Sequence, residues 1–291
     1  MKLIAPFFDI YAGQLDEQNL FSQALEKVGV SYVPWNVHEE KMPEGDAIFW
    51  QAVSGYHKQM KLFNALLEEV ENCKIMSLNS TSIMRWNAEK TYLQELEKKV
   101  IPIIPTLWQD EWNTEEIIQW TQRESHQEII IKPVISAGAY LTFRTDGKDK
   151  TTLDEIGQKY REAGKSKIMI QPFRQEIIDE GEWSFLFFGG AFSHAVLKTP
   201  KKDDYRIQHV HGGAYRSVTP NAILMESARK VIQELPEEPH YARVDGIHSK
   251  DGFLLMEVEL IEPYFYLDVA TERANMFAEN IRKSFEIPQF L

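Results

Sequence analysis

Apolar positions along the first 80 residues switch repeatedly between two periods. Leu3, Ile4, Ala5, Phe7 and Phe8 form a short apolar run that predicts a strand over 3–8. Leu20, Phe21, Ala24, Leu25 and Val28 then recur at helical spacing, and Gly29 closes that helix. Further strands are expected over 32–35, 47–50 and 74–78. Leu62, Phe63, Leu66, Leu67 and Val70 mark a helix between the last two. Strands separated by amphipathic helices imply a parallel sheet.

The pattern changes beyond this point. Residues 82–99 read as one polar helix, which Ile101-Pro102-Ile103-Ile104-Pro105-Thr106 interrupts with an extended connector. Antiparallel signals dominate the remainder. Strands are expected over 129–131, 140–144 and 168–171, with Thr152 and Glu155 forming a capping box for a helix through Tyr160. Residues 183–188 and 191–197 form a hairpin around Gly189-Gly190. Leu224, Ala228, Val231 and Leu235 mark a helix, 241–248 and 253–260 a last hairpin, and 267–285 a final helix. The expected organisation is an α/β unit over 1–80 and two α+β units over 81–170 and 171–291.

Composition narrows the function more than the fold. A chain of 291 residues suits about two domains at about 150 residues each. At 43% hydrophobic and 26% charged it is an ordinary globular sequence. A net charge of -12 argues against nucleic acid and anionic membranes as partners, but not against a nucleotide held by a few lysines. The single cysteine, Cys73, allows no internal disulfide, and no apolar run reaches membrane-spanning length. A cytoplasmic protein is expected, and a homodimer is compatible with it.

The last hairpin carries the most pointed chemistry. Residues two apart on a strand share a face, so Glu257 and Glu259 project together. A three-residue loop, Lys250-Asp251-Gly252, places Asp245 opposite Glu257. Three carboxylates on one face repel unless a cation or protons intervene. Oxygen ligands without histidine or cysteine favour magnesium or manganese over zinc. Arg243 shares the face; it would neutralise the cluster or hold a phosphoryl group in transfer. The competing reading is a solvated strand face laced with ion pairs. The apolar flanks Phe253-Leu254-Leu255-Met256, Val258, Leu260 and Ile261 speak for a buried hairpin instead.

Upstream, Lys132 ends an apolar strand, and Ser136-Ala137-Gly138-Ala139 follows. Small residues let backbone N–H groups approach an anion, although such a run is more often a plain turn. Lys90 lies near the start of the polar helix, where a solvated lysine is the simpler reading. His209, His211, Gly212, Gly213 and Arg216 make a polar loop that reads as facing substrate rather than as a zinc site.

Taken in order, these residues resemble the ATP-grasp superfamily, in the branch of bacterial glutathione synthetase and the ribosomal-protein glutamate ligases. The likeness spans about 80–285. Asn87-Ala88-Glu89-Lys90 and the proline connector resemble the first lysine motif. Ile130-Ile131-Lys132-Pro133 with Ser136-Ala137-Gly138-Ala139 resembles the second lysine and the phosphate loop. Ile170-Gln171-Pro172-Phe173 is similar to the adenine-recognising linker, and Glu182 to the acid that holds the ribose. Glu257-Val258-Glu259 departs from the usual Glu-x-Asn, and Glu259-Leu260-Ile261-Glu262-Pro263 also resembles a ligase of cycloserine synthesis.

The resemblance implies an N-terminal parallel α/β domain followed by two α+β subdomains with ATP between them. It implies ATP binding by Lys90, Lys132, Ser136, Ala137, Gly138, Ala139, Gln171, Phe173 and Glu182, and Mg2+ (or Mn2+) on Asp245, Glu257 and Glu259. Arg243 would be catalytic, and Lys198, Arg206 and Arg216 would line a cationic acceptor side. The implied activity is a carboxylate–amine (or carboxylate–thiol) ligase that forms an acyl phosphate, acting on a small amino-acid-like or peptide-like substrate. A small-molecule kinase or a non-catalytic ATP-binding module are the rivals. The loops over 51–57 and 198–216 are expected to select the substrate.

Overall fold

The computed structural model describes residues 1–8, 12–38, 41–201 and 212–286. Strands β1 (Lys2–Phe7), β2 (Ser31–Asn36), β3 (Ala47–Phe49) and β4 (Met76–Leu78) form a parallel sheet in the order β2-β1-β3-β4. Helices α1 (Ala12–Lys27) and α2 (Met60–Cys73) accompany it. They bury Phe21, Ala24 and Leu25, and Phe63, Leu66, Leu67 and Val70, the positions picked out by helical spacing.

The expected helix over 82–99 is instead two short helices, α3 (Thr81–Asn87) and α4 (Tyr92–Lys98). The break has tertiary causes. The Lys90 N–H donates to the Val134 carbonyl (2.9 Å) rather than up a helix. Asn87 and Tyr92, on either side, turn toward a strand far away in sequence.

Strands β5 (Leu107–Gln109), β6 (Ile129–Pro133), β7 (Phe143–Thr145) and β8 (Ile168–Pro172) form an antiparallel sheet in the order β5-β8-β6-β7. Helices α5 (Thr114–Arg123) and α6 (Lys150–Glu162) pack Ile117, Trp120, Leu153, Ile156 and Tyr160 against Ile129, Ile131, Ile168 and Ile170. Alternation therefore leaves Ile130 and Lys132 on the opposite face. Two details differ from the sequence reading. The helix cap is Asp149, whose side chain accepts the Thr152 N–H (2.9 Å), not a Thr152–Glu155 box. And β7 starts at Phe143 rather than Tyr140, because Ala139 (φ 60°) and Leu141 (φ 51°) are left-handed and cannot extend a strand.

A short helix α7 (Glu176–Asp179) leads into the largest sheet. Strands β9 (Glu182–Phe188), β10 (Ala191–Thr199), β11 (Ala214–Val218), β12 (Tyr241–Ser249) and β13 (Gly252–Glu259) are antiparallel in the order β11-β10-β9-β12-β13. One face packs Phe185, Phe187, Val244 and Leu255 in the same core as Leu224, Ala228 and Val231 of α8 (Ala222–Gln233). On the other face Leu186, Phe188 and Tyr241 meet Phe21, Phe265 and Phe277, the last from α9 (Glu272–Glu286). That second face is apolar at one end only. Its other end carries Glu182, Ser184, Lys198, Arg243, Asp245, Glu257 and Glu259.

Among the described residues the β13 edge has no strand partner at its C-terminal end, and side chains take that role. Asn87 donates to the Val258 carbonyl (2.8 Å) and accepts from the Leu260 N–H (2.9 Å). The Tyr92 hydroxyl accepts from the Val258 N–H (2.8 Å). Asn79, left-handed at φ 61°, donates to the Tyr241 and Leu260 carbonyls and accepts from the His240 N–H (2.7 Å). These buried amides set the position of the strand segment that holds both glutamates.

Candidate functional site

The polar end of the large sheet faces β6 of the small sheet across a solvent-open cleft of about 200 Å³. Lys132 and the loop Ser136–Ala139 form one wall; Glu182, Lys198, Arg243, Asp245, Glu257 and Glu259 form the other.

The register that places the acids arises differently from the sequence reading. The turn is two residues, since Ser249 pairs with Gly252, and this alone would put Met256 opposite Asp245. A bulge between Asp245 and Gly246 restores the Asp245–Glu257 pair. Gly246 is required there: a Cβ would lie 2.3 Å from the Phe253 ring and 2.5 Å from the Leu254 carbonyl oxygen.

The three carboxylates share a face but not a common point. Asp245 is enclosed by cations. Arg243 reaches it through Nε (3.0 Å) and Nη2 (2.9 Å), Lys198 Nζ lies 3.4 Å away, and the Ser184 hydroxyl donates to it. Burial raises the Asp245 carboxyl, but Arg243 and Lys198 outweigh it and hold the group below the usual range. Glu257 pairs with Lys90 (2.8 Å) and Glu259 with Arg243. Burial pushes Glu259 up to about 8; Arg243 opposes this, whereas Asp245, Glu257 and Glu262 add to it. Among the described residues no three His, Cys, Asp or Glu side chains already form a metal-binding group. The donor chemistry still fits a hard divalent cation at Glu257 and Glu259, because burial and the neighbouring carboxylates disfavour the ionised form of Glu259, a penalty that a bound cation would remove. Asp245 fits only if it gives up part of its Arg243 and Lys198 contacts.

The opposite wall is built to receive an anion. Lys132 makes no ion pair among the described residues, and burial lowers its ammonium pKa, with Lys90 adding to the effect and Glu257 opposing it. Lys90 is nearly enclosed, donating to the Ser136 carbonyl (2.6 Å) as well as pairing with Glu257. In the loop, Gly138 and Ala139 are left-handed (φ 59° and 60°), and the Ser136 hydroxyl closes it on the Tyr140 carbonyl (2.9 Å). Such a turn exposes successive backbone N–H groups.

Not every expected residue comes to the cleft. Ser136, Ala137, Gly138, Ala139, Phe173 and Glu182 line it. The Gln171 side chain instead donates to Thr106 (2.9 Å). Glu182 is buried against Lys198, so both are occupied by each other. Lys198 stays protonated there, because Asp245 and Glu182 more than offset its burial. Arg216, on β11, pairs with Leu197 of β10, which puts it on the sheet face opposite Lys198. Arg206, His209 and His211 lie outside the described residues. The pattern gave no sign of Tyr266. Left-handed at φ 56°, it lines the cleft and lies 5.7 Å from the Arg243 guanidinium. An aromatic run such as Tyr264-Phe265-Tyr266 reads only as core.

Comparison with known proteins agrees with this architecture. The model of the prokaryotic glutathione synthetase ATP-grasp domain matches residues 89–266. The cycloserine biosynthesis protein DcsG of Streptomyces lavendulae is 24% identical over 251 residues, covering 80% of this chain and 81% of that protein. The crystal structure of D-cycloserine synthetase DcsG has a TM-score of 0.86 at 18% identity, covering 98% of this chain and 99% of that one. A RimK-domain ATP-grasp protein from Sphaerobacter thermophilus reaches 0.72 at 14% identity, over 96% and 99% of the two chains. The D-alanine–D-alanine ligase of Bacillus anthracis reaches 0.70 at 15%, over 98% and 99%. At these identities the structural likenesses speak for the fold.

Proposed function

Because this chain belongs to the family of the prokaryotic glutathione synthetase ATP-grasp domain, we propose that it is an ATP-dependent ligase that joins a carboxylate to an amine through an acyl phosphate. The observation that carries the reading is Lys132. It is a burial-strained cation without an ion-pair partner among the described residues, beside a left-handed small-residue loop and facing a carboxylate pair across one cleft. A polyphosphate supplies the missing counter-charge.

On this reading Lys132 and Lys90 hold the α- and β-phosphates, and the N–H groups of Ser136–Ala139 close over the chain. Phe173, with the Arg144 guanidinium 3.7 Å from its ring centroid, offers a flat apolar surface for the base. The substrate carboxylate attacks the γ-phosphorus, the bond to the β-bridging oxygen breaks, and ADP leaves. Arg243 is placed to take charge developing on the transferred group, loosening its hold on Asp245 and Glu259 as it does so. The amine then attacks the acyl carbon, and phosphate departs. Glu257 and Glu259, joined by Asp245, are the residues that would hold magnesium or manganese, which when bound neutralises charge between the β- and γ-phosphates. The relatives named for D-cycloserine synthesis and for joining D-alanine to D-alanine support a small amino-acid-like substrate.

The test is direct. The purified chain should bind Mg-ATP, and Lys132→Ala should weaken that binding at least about tenfold, the value of one charge-assisted contact. A coupled ADP-release screen over amino acids and dicarboxylates should then find an acid that turns over only with an amine. A chain that binds no Mg-ATP, or binds it equally well without Lys132, refutes the reading.

A further inference from the structure

The carboxylate wall has a second side. Another, smaller cleft, with about 30 Å³ of space for a water-sized group, is lined by Tyr56, Ser136, Ala137, Glu257, Glu259 and Glu262 among others. Four of these, Ser136, Ala137, Glu257 and Glu259, also border the first cleft. A molecule in the second cleft therefore meets whatever lies beside the loop and the two glutamates. No lysine, arginine or histidine is among the described lining residues. The expected cationic acceptor side is not found here: Lys198 is consumed by Glu182 and Asp245, and Arg216 faces away.

Two features point to a ligand rather than to a merely acidic wall. The Glu262 carboxylate has no ion-pair partner among the described residues. Its Oε2 accepts from the Ser54 hydroxyl (2.8 Å), which leaves Oε1 available. Tyr56 is only 7% exposed, its ring fixed against Phe63 at 5.0 Å. Its hydroxyl has no hydrogen-bond partner among the described residues, although the residue lines the cleft. Glu262, Glu257 and Glu259 are all close enough to add to the burial that keeps the phenol protonated. With the ring buried and no partner inside the protein, the hydroxyl opens onto the cleft, where an incoming group can pair with it.

We propose that this second cleft binds the ammonium group of a substrate, whose N–H hydrogens are accepted by the Glu262 carboxylate and the Tyr56 phenol oxygen. An ammonium offers several donors in a compact head, which suits one carboxylate oxygen, one hydroxyl oxygen and the flanking Glu259. A hard metal ion suits the set less well, because a neutral phenol is a poor ligand for it. The assignment deepens the ligase reading by naming the charge of the substrate beside the γ-phosphate. The binding itself does not depend on that reading.

The experiment is titration calorimetry on the full chain with Mg2+ and a non-hydrolysable ATP analogue. The probes are alanine and ethylamine, with N-acetylalanine and propionate as anions that lack alanine's ammonium and N-ethylacetamide as a neutral counterpart of ethylamine. The two amines should bind, and the counterparts without an ammonium should bind at least about tenfold more weakly, the range of a charge-assisted hydrogen bond. Glu262→Gln should cost the amines about tenfold while leaving nucleotide affinity unchanged, and Tyr56→Phe about threefold. Tyr56→Phe keeps the ring packing and carries the test if Glu262→Gln does not fold. Equal binding of the acetylated or deaminated probes, no detectable amine binding, or affinities untouched by both substitutions would overturn the proposal. So would magnesium alone displacing the amines while losing its own binding in Glu262→Gln. Amine binding that survives where nucleotide binding fails would sink the ligase reading and leave this one standing.

Discussion

Replacing Asn87 by leucine separates the positioning of the candidate site from its chemistry. Asn87 is 7% exposed and touches no proposed phosphate position, yet it holds the β13 edge between and beyond the two glutamates. Leucine of similar size removes both hydrogen bonds. The Val258 carbonyl keeps the Tyr92 hydroxyl as a donor (2.9 Å), so its loss is about 1 kcal/mol. The Leu260 N–H has no such substitute, and an orphaned buried donor costs about 1–3 kcal/mol. Together the change is worth roughly 2–4 kcal/mol. At about 2–4 °C per kcal/mol for a chain of this class, the melting temperature should fall by roughly 4–16 °C. Affinity for Mg-ATP should drop with it, because Glu257 and Glu259 are carried by the released segment. Differential scanning calorimetry and nucleotide titration read the two effects. Tyr92→Phe should produce a smaller loss of the same kind, and the double variant should be non-additive, since both side chains hold one strand segment. A melting temperature within about 1 °C of the parent would refute the reasoning, because β13 would then be held by something other than these side chains.

Gly246→Ala should destabilise by roughly 1–3 kcal/mol in urea melts, since the new methyl meets the backbone oxygen of Leu254 at 2.5 Å; a neutral result would mean that the bulge can slide. His57 gives a pH signature. It is buried, both ring nitrogens lack partners among the described residues, and burial aided by Lys58, Lys90 and Lys165 lowers its pKa from 6.5 to about 4. The unfolded chain therefore binds a proton that the folded chain refuses over that window, so stability is lost as pH falls from about 6.5 to 4. The loss is at most on the order of 3 kcal/mol. His57→Phe should flatten that limb of the urea-stability profile, and parallel profiles for the two proteins would refute the assignment.

Much of the fold was legible because hydrophobic spacing is local information. The parallel unit, the antiparallel remainder and the buried hairpin around residues 241–259 all follow from apolar periods and glycine positions. The element boundaries that failed are those where a distant group competes. The helix over 82–99 breaks because Val134 and Val258 claim its polar groups, and β7 starts late because the loop before it curls into left-handed turns.

The carboxylate hairpin shows the same division within one motif. The sequence by itself determined that Asp245, Glu257 and Glu259 share a face, since strand alternation and a short turn leave little freedom. It did so through a compensation: a turn one residue shorter than expected is offset by a bulge that only the packing of Phe253 over Gly246 decides. The tertiary structure alone decided which acids are already neutralised. Lys198 and Arg243 hold Asp245, Lys90 holds Glu257, and Glu259, although paired with Arg243, is pushed toward its protonated form by burial and the neighbouring carboxylates. It also decided that Asn79, Asn87 and Tyr92 serve as the missing edge partner of β13, and that Tyr56 meets Glu262 across more than 200 residues of chain. Periodicity encodes which way a side chain faces along its own element. Which cation or carbonyl it then meets depends on long-range packing, for which a single sequence carries no local signal.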